Sequence, residues 1–92
     1  MVSSGSFKKD LKRYANNVGV MHELESIVEF LRSDTELPQK YKTHRLSGVY
    51  AGFMECHVKN DVLLIWIAPD ANEIVLSRLG SHSELFGKGR KR

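Results

Sequence analysis

Val49-Tyr50-Ala51-Gly52-Phe53-Met54-Glu55-Cys56-His57-Val58-Lys59-Asn60-Asp61-Val62-Leu63-Leu64-Ile65-Trp66-Ile67-Ala68 is the stretch on which the fold of this 92-residue chain turns. In its first half Val49, Ala51, Phe53, Glu55 and His57 fall on one side of an extended backbone. Tyr50, Gly52, Met54, Cys56 and Val58 fall on the other, the alternation of a strand with two different faces. Lys59-Asn60 supplies a hairpin turn, and Val62 to Ala68 is apolar on both sides, as a central strand is. Pro69-Asp70-Ala71-Asn72 then turns the chain into a third strand, Glu73 to Leu79. Ser81 to Phe86 closes the domain as one helical turn or a loop.

Upstream of this stretch the period is helical. Phe7, Leu11, Tyr14 and Val18 recur at i, i+4, i+7 and i+11, and Ser4 or Ser6 can cap a first helix running from about Ser6 to Asn16. Asn16-Asn17-Val18-Gly19 reads as a break. Met21, Leu24, Ile27, Val28 and Leu31 then mark one face of a second helix whose other face carries Glu23, Glu25, Glu29 and Arg32. A short-looped αα-hairpin is the expected result. Leu37-Pro38 ends the helical region, because the residue before proline is pushed out of the α region. Gln39 to Leu46 shows neither period and reads as a polar connection that delivers His44. Two helices followed by an antiparallel meander make an α+β domain, with the helices on one sheet face and the other face free to work.

A chain this short holds one compact core and no second domain. The single cysteine, Cys56, cannot form an internal disulfide, and no apolar run is long enough for a membrane helix. Cytoplasmic residence is the expectation, with no membrane partner. The net charge is +3, but Lys88, Arg90, Lys91 and Arg92 supply four of the fourteen basic side chains, leaving ten against eleven acidic ones. Basic character is therefore local: residues 88–92 form a tail beyond a domain of residues 1–87, and Lys8, Lys9, Lys12 and Arg13 cluster near the start. Such patches steer a polyanion, although a solvated helix face and an unstructured tail would look the same in sequence.

Three histidines lie near the ends of expected elements: His44, His57 and His82. With Asp61 they suggest acid–base chemistry on a phosphodiester. Cutting RNA without a metal needs a base for the 2′-hydroxyl proton, an acid for the departing 5′-oxygen and a cation for the phosphorus-bound charge. Histidine can fill each role near neutral pH. Any one histidine alone is more commonly a solvated or hydrogen-bonded side chain, and His22, on the polar part of the second helix, is read that way. Cys56 and His57 are adjacent on a strand and point to opposite faces, so neither a thiolate–imidazole pair nor a metal site is expected. No cofactor is implied.

Leu37-Pro38-Gln39-Lys40-Tyr41-Lys42-Thr43-His44-Arg45-Leu46-Ser47-Gly48, Glu55-Cys56-His57-Val58, Asp61, Leu63-Leu64-Ile65 and Arg78-Leu79-Gly80-Ser81-His82-Ser83-Glu84-Leu85-Phe86, in this order, closely resemble the YafQ branch of the RelE toxins. The resemblance extends to Phe7-Lys8-Lys9-Asp10-Leu11-Lys12-Arg13. It implies a RelE-like microbial RNase fold, with an αα-hairpin on a small antiparallel sheet of three strands plus a truncated N-terminal one. The function it implies is that of a type II toxin–antitoxin toxin: an endoribonuclease that cuts messenger RNA in the ribosomal A site and is silenced by a cognate antitoxin. Its partners would be ribosome, mRNA and antitoxin, the free toxin a monomer and the antitoxin complex larger.

By position, the resemblance assigns His44, His57, Asp61 and His82 to catalysis. His82 would be the general acid, His57 and Asp61 would move the 2′-hydroxyl proton, and His44 would hold the phosphate. Phe86 would orient a base. Read from position alone, Arg78 can supply fixed positive charge near the phosphate and Glu55, on the His57 face, can orient that ring; an ordinary surface ion pair is the alternative for both. Lys8, Lys9, Lys12 and Arg13 would contact ribosomal RNA.

Three positions depart from the family pattern: Met54 stands where relatives usually carry arginine, Val62 where they carry tryptophan and Asn60 where they carry proline. A lost guanidinium and a lost indole suggest reduced activity. They motivate the alternative of a catalytically weakened RNA-binding or antitoxin-binding module. A third reading, a purely structural interaction domain, rests on the helices and their basic face. Relatives also open with a longer strand, so Met1 to Gly5 leaves a sheet edge in need of cover.

Overall fold

The computed structural model describes residues 1–70 and 72–87; the basic tail expected over 88–92 lies outside them. The chain runs β1 (Val2–Ser3), α1 (Gly5–Tyr14), α2 (Val18–Arg32), β2 (His44–Arg45), β3 (Phe53–Lys59), β4 (Val62–Asp70), β5 (Glu73–Gly80) and α3 (His82–Phe86). The sheet order is β1-β5-β4-β3-β2, antiparallel throughout except for the parallel β1/β5 pair. The α+β class therefore holds, with five strands where three and a remnant were expected. Among the described residues no helix is long and apolar enough to cross a membrane.

Local chemistry sets the helix starts. Ser4 Oγ accepts the Phe7 amide at 3.0 Å and Asn17 Oδ1 accepts the Val20 amide at 3.1 Å, each satisfying a donor that the first helical turn leaves open. Asn17 thus starts α2 inside the expected break and shortens the link between the helices to three residues, 15–17. Phe7, Val20, Leu24 and Ile27 bury their face against Cys56, Val58, Leu64, Trp66, Leu76 and Leu79. Each full aliphatic burial there contributes about 1.5–3 kcal/mol. The polar connection holds a hidden anchor, since Tyr41 is buried in this core and its hydroxyl donates to Glu23 at 2.7 Å.

Alternation along β3 and β4 sorts side chains as expected from Phe53 onward. Cys56, Val58, Val62, Leu64 and Trp66 join the helix-side core. Leu63 and Ile65 form a second cluster with Leu85, backed by Leu46, Phe53 and Phe86. The strand does not begin at Val49, however. Gly48 and Gly52 adopt φ of +68° and +96°, a region that glycine enters freely. Between them residues 48–50 form a 3-10 turn that leaves Val49 94% exposed.

The two short strands resolve the edge problem. Arg45 and His44 pair with Met54 and Glu55, extending the sheet beyond β3. On the opposite edge β1 covers only Val75 and Leu76 of β5, and α1 covers the rest. Ser4 Oγ donates to the Ser77 carbonyl at 2.9 Å, and the Leu79 amide donates to Asp10 Oδ2 at 2.9 Å. Asp10 also receives Arg78 Nε at 2.8 Å and Nη2 at 3.2 Å, a bidentate pair that fixes helix to strand.

Burial alone would raise the Asp10 carboxyl, but the Arg78 hydrogen bond, the Leu79 amide and the Arg78 and Arg13 charges together hold it below the ordinary carboxylate range. Being depressed in the fold, it contributes stability that is present above the unfolded-state value and lost as pH falls through the folded one. The melting temperature is expected to drop below about pH 4, and less steeply in Asp10→Asn, as thermal melts across pH 2–7 would show.

Candidate active site

The sheet face opposite α1 and α2 carries the candidate residues. β2 sets His44 across from Glu55 in register. His44 Nε2 lies 2.9 Å from Glu55 Oε1 and its Nδ1 2.9 Å from the Lys42 carbonyl. Glu55 is buried and His44 is about half exposed. Glu55 therefore anchors His44, whereas orientation of His57 was the role expected for it. His57, two residues along the same face of β3, places its ring centroid 6.4 Å from that of His44 at 48°.

A second group forms where β3 turns into β4 and α3 begins. Asn60 takes φ of +53°, the register shifts between His57 and Lys59, and the turn carries Asp61 off the strand. His82 Nδ1 then lies 3.4 Å from Asp61 Oδ1, both side chains well exposed. That separation exceeds a tight N–H···O bond, and catalytic bonds often shorten only when substrate is present. Phe86, one turn further along α3, sets its ring 5.9 Å from that of His82. Tyr50 meets Phe86 edge-on at 5.3 Å and 89°, and Phe53 at 6.1 Å and 83°. A run of rings thus leads from His82 across the face.

Of the remaining residues read from sequence, Arg78 is committed to Asp10 through two nitrogens, which raises its pKa further; fixed charge for a phosphate must come mainly from elsewhere. Lys8, Lys9 and Lys12 are exposed on α1. Arg13 sits 3.6 Å from Asp10 and 3.7 Å from Glu84, so it is shared with the fold. Cys56 is wholly buried on the helix side, and burial pushes its thiol up to about 12, far from a reactive thiolate. Met54 and Val62 also pack into the helix-side core, away from the histidines. Among the described residues no three His, Cys, Asp or Glu side chains gather as a metal site. A cavity of about 420 Å³ between the end of α2 and Trp66 is lined by none of the candidate residues.

Three participants went unread in the sequence. Ser81-x-x-Glu84 is a capping box, and its spacing was legible. Asp10 stands three residues after Phe7 in the buried stripe, a signal that a carboxylate would need a partner. Tyr50 gave no signal, because it lies in the segment that reads as strand.

The profile of the family described as "Bacterial toxin of type II toxin-antitoxin system, YafQ" matches residues 1–87. This chain is a member of the YafQ toxin family. It is 34% identical over 85 residues to the mRNA interferase toxin YafQ of Escherichia coli K12, spanning 91% of each chain. A metal-bound toxin from Helicobacter pylori shares its fold with a TM-score of 0.80 and 42% identity, over 91% of this chain and 94% of that one. The E. coli DinJ–YafQ complex contains a chain that superposes with a TM-score of 0.82 at 31% identity, over 94% and 96%. Membership in the YafQ family places the five-stranded sheet, with its histidines opposite α1 and α2, within a toxin fold, as the ordered sequence blocks implied.

Proposed function

We propose that this YafQ-family toxin is an mRNA interferase that cuts messenger RNA in the ribosomal A site by histidine and aspartate acid–base chemistry. The observation that carries the reading is the display of His44, His57 and His82 with Asp61 on the side of the sheet opposite α1 and α2, within a toxin fold. The 2′-hydroxyl is an internal nucleophile, so the chemistry needs groups to move protons and hold charge, and calls on no metal. His57 takes the 2′-hydroxyl proton as the oxygen attacks phosphorus. Asp61 holds His82 through Nδ1, leaving Nε2 to protonate the departing 5′-oxygen. His44, backed by the buried Glu55 carboxylate, holds a phosphate oxygen. The products are a 2′,3′-cyclic phosphate and a free 5′-hydroxyl, with the proton balance closed by the two imidazoles. Phe86 and Tyr50 offer ring surface to a base, worth about 1–3 kcal/mol per stacked base.

Lys8, Lys9 and Lys12, exposed on α1, meet ribosomal RNA, a contact that weakens with salt. A cognate antitoxin is the protein partner, by likeness to the toxin that forms the DinJ–YafQ complex. Positions 54 and 62 motivated a weakened module. Packing of Met54 and Val62 on the helix side supports an intact catalytic face instead.

The test is cleavage of a defined transcript by purified toxin, with and without translating ribosomes. Cleavage is expected only while ribosomes translate, with sites in register with the reading frame. Ribosome binding without any cleavage would favour the non-catalytic module, and cleavage of naked RNA at the same rate would remove the A-site requirement.

A further inference from the structure

His82 belongs to the five-residue helix α3, too short to hold itself by its own hydrogen bonds. Leu85 anchors one side of it in the second core with Leu63 and Ile65. The other side is held by one carboxylate. Glu84 Oε1 accepts the Tyr14 hydroxyl at 2.6 Å and the Ser81 amide at 2.9 Å, while Ser81 Oγ accepts the Glu84 amide at 3.2 Å. Glu84 Oε2 is 3.7 Å from Arg13. Ser81 directly precedes His82, and Tyr14 and Arg13 close the last turn of α1. The fit beneath is tight, since a Cβ on Gly80 would come within 2.8 Å of Glu84 Oε1.

We propose that Glu84, bridged to Tyr14 and Arg13 of α1, is a positioning residue that fixes His82 for catalysis. One carboxylate sets both the residue before the imidazole and the distance of α3 from the basic helix. The Tyr14 hydrogen bond and the Ser81 amide hold Glu84 below the usual carboxylate range, so the bridge is charged at neutral pH. Burial and the Glu84 hydrogen bond push Tyr14 up to about 12, keeping its proton available to donate. Arg13, grouped in sequence with Lys8, Lys9 and Lys12, lies between the two carboxylates, 3.6 Å from Asp10 and 3.7 Å from Glu84. The proposal rests on the reading of His82 as a catalytic group.

The experiment compares wild type with Glu84→Ala, Glu84→Gln and Tyr14→Phe by transcript-cleavage kinetics and by NMR contacts from the His82 ring to Phe86 and Asp61. Glu84→Ala is expected to lose those ring contacts and to lower kcat by about tenfold or more with KM unchanged. Glu84→Gln, whose amide oxygen can still accept from Tyr14 and Ser81, should restore most of both; Tyr14→Phe should fall between. Wild-type ring contacts and kcat in Glu84→Ala would overturn the proposal, and so would a raised KM with kcat intact. Should Glu84→Ala fail to fold, Tyr14→Phe decides by the same two readouts. Absence of cleavage by the wild type would refute the proposed function, while the NMR arm would still decide whether Glu84 fixes His82.

Discussion

His82→Ala is expected to reduce transcript cleavage by about 10²–10⁴-fold, the usual contribution of a positioned acid or base, with little loss of stability. The side chain is well exposed and its polar contact to Asp61 is long. Surface pairs of this kind contribute about 0–1 kcal/mol. The aromatic contact with Phe86 is edge-of-site packing that alanine removes at similarly small cost. A large loss of rate beside a small loss of stability is the signature of a group that acts on substrate. Expression of the wild type should arrest growth and expression of His82→Ala should not, at equal soluble protein. A variant that still arrests growth would move the acid to His57 or His44.

Asp10→Ala is expected to be the most damaging substitution for stability among the charged residues. Asp10 is only 2% exposed and serves three donors: two guanidinium nitrogens of Arg78 and the Leu79 amide. Removing it leaves a buried strand-edge amide without its acceptor and a half-buried cation without its partner. Breaking such a pair costs about 3–5 kcal/mol, and partial exposure of Arg78 places the expected loss near the lower figure. For a domain of this size that lowers the melting temperature by about 12–24 °C. Asp10→Asn should lose less, because an amide oxygen can still accept the Leu79 proton. Calorimetric melts at pH 7 measure the difference, and a shift of only a few degrees would mean that water replaces the carboxylate.

The strand alternation from Phe53 to Val58, the apolar run from Val62 and the helical stripes were legible because each repeats over several residues against one core. β1 was foreseen only as the truncated strand that the family resemblance implied, and β2 not at all. Each has two residues, and His44-Arg45 is polar and exposed, so no period exists to read. Val49 and Ala51 imitate a strand by chance of spacing, and the left-handed conformations of Gly48 and Gly52 overrule them. The candidate site residues came from the ordered family blocks, but the contacts between them could not be read there. Asp61 belongs with His82 because the turn at Asn60 removes it from the strand that bears His57. Glu55 turns to His44 because an edge strand too short to foresee sets that imidazole beside it. Asp10 and Arg78 meet across 68 positions, a separation that only the folded edge of β5 closes.

Proton transfer from the histidines of this face would leave a distinctive chemistry on the cut RNA ends. Mass spectrometry of a transcript recovered from a translating extract is predicted to find 2′,3′-cyclic phosphate and 5′-hydroxyl termini at in-frame sites, absent with His82→Ala. Termini bearing 3′-hydroxyl and 5′-phosphate would contradict this chemistry, and cyclic-phosphate ends undiminished in His82→Ala would take the acid's role from His82.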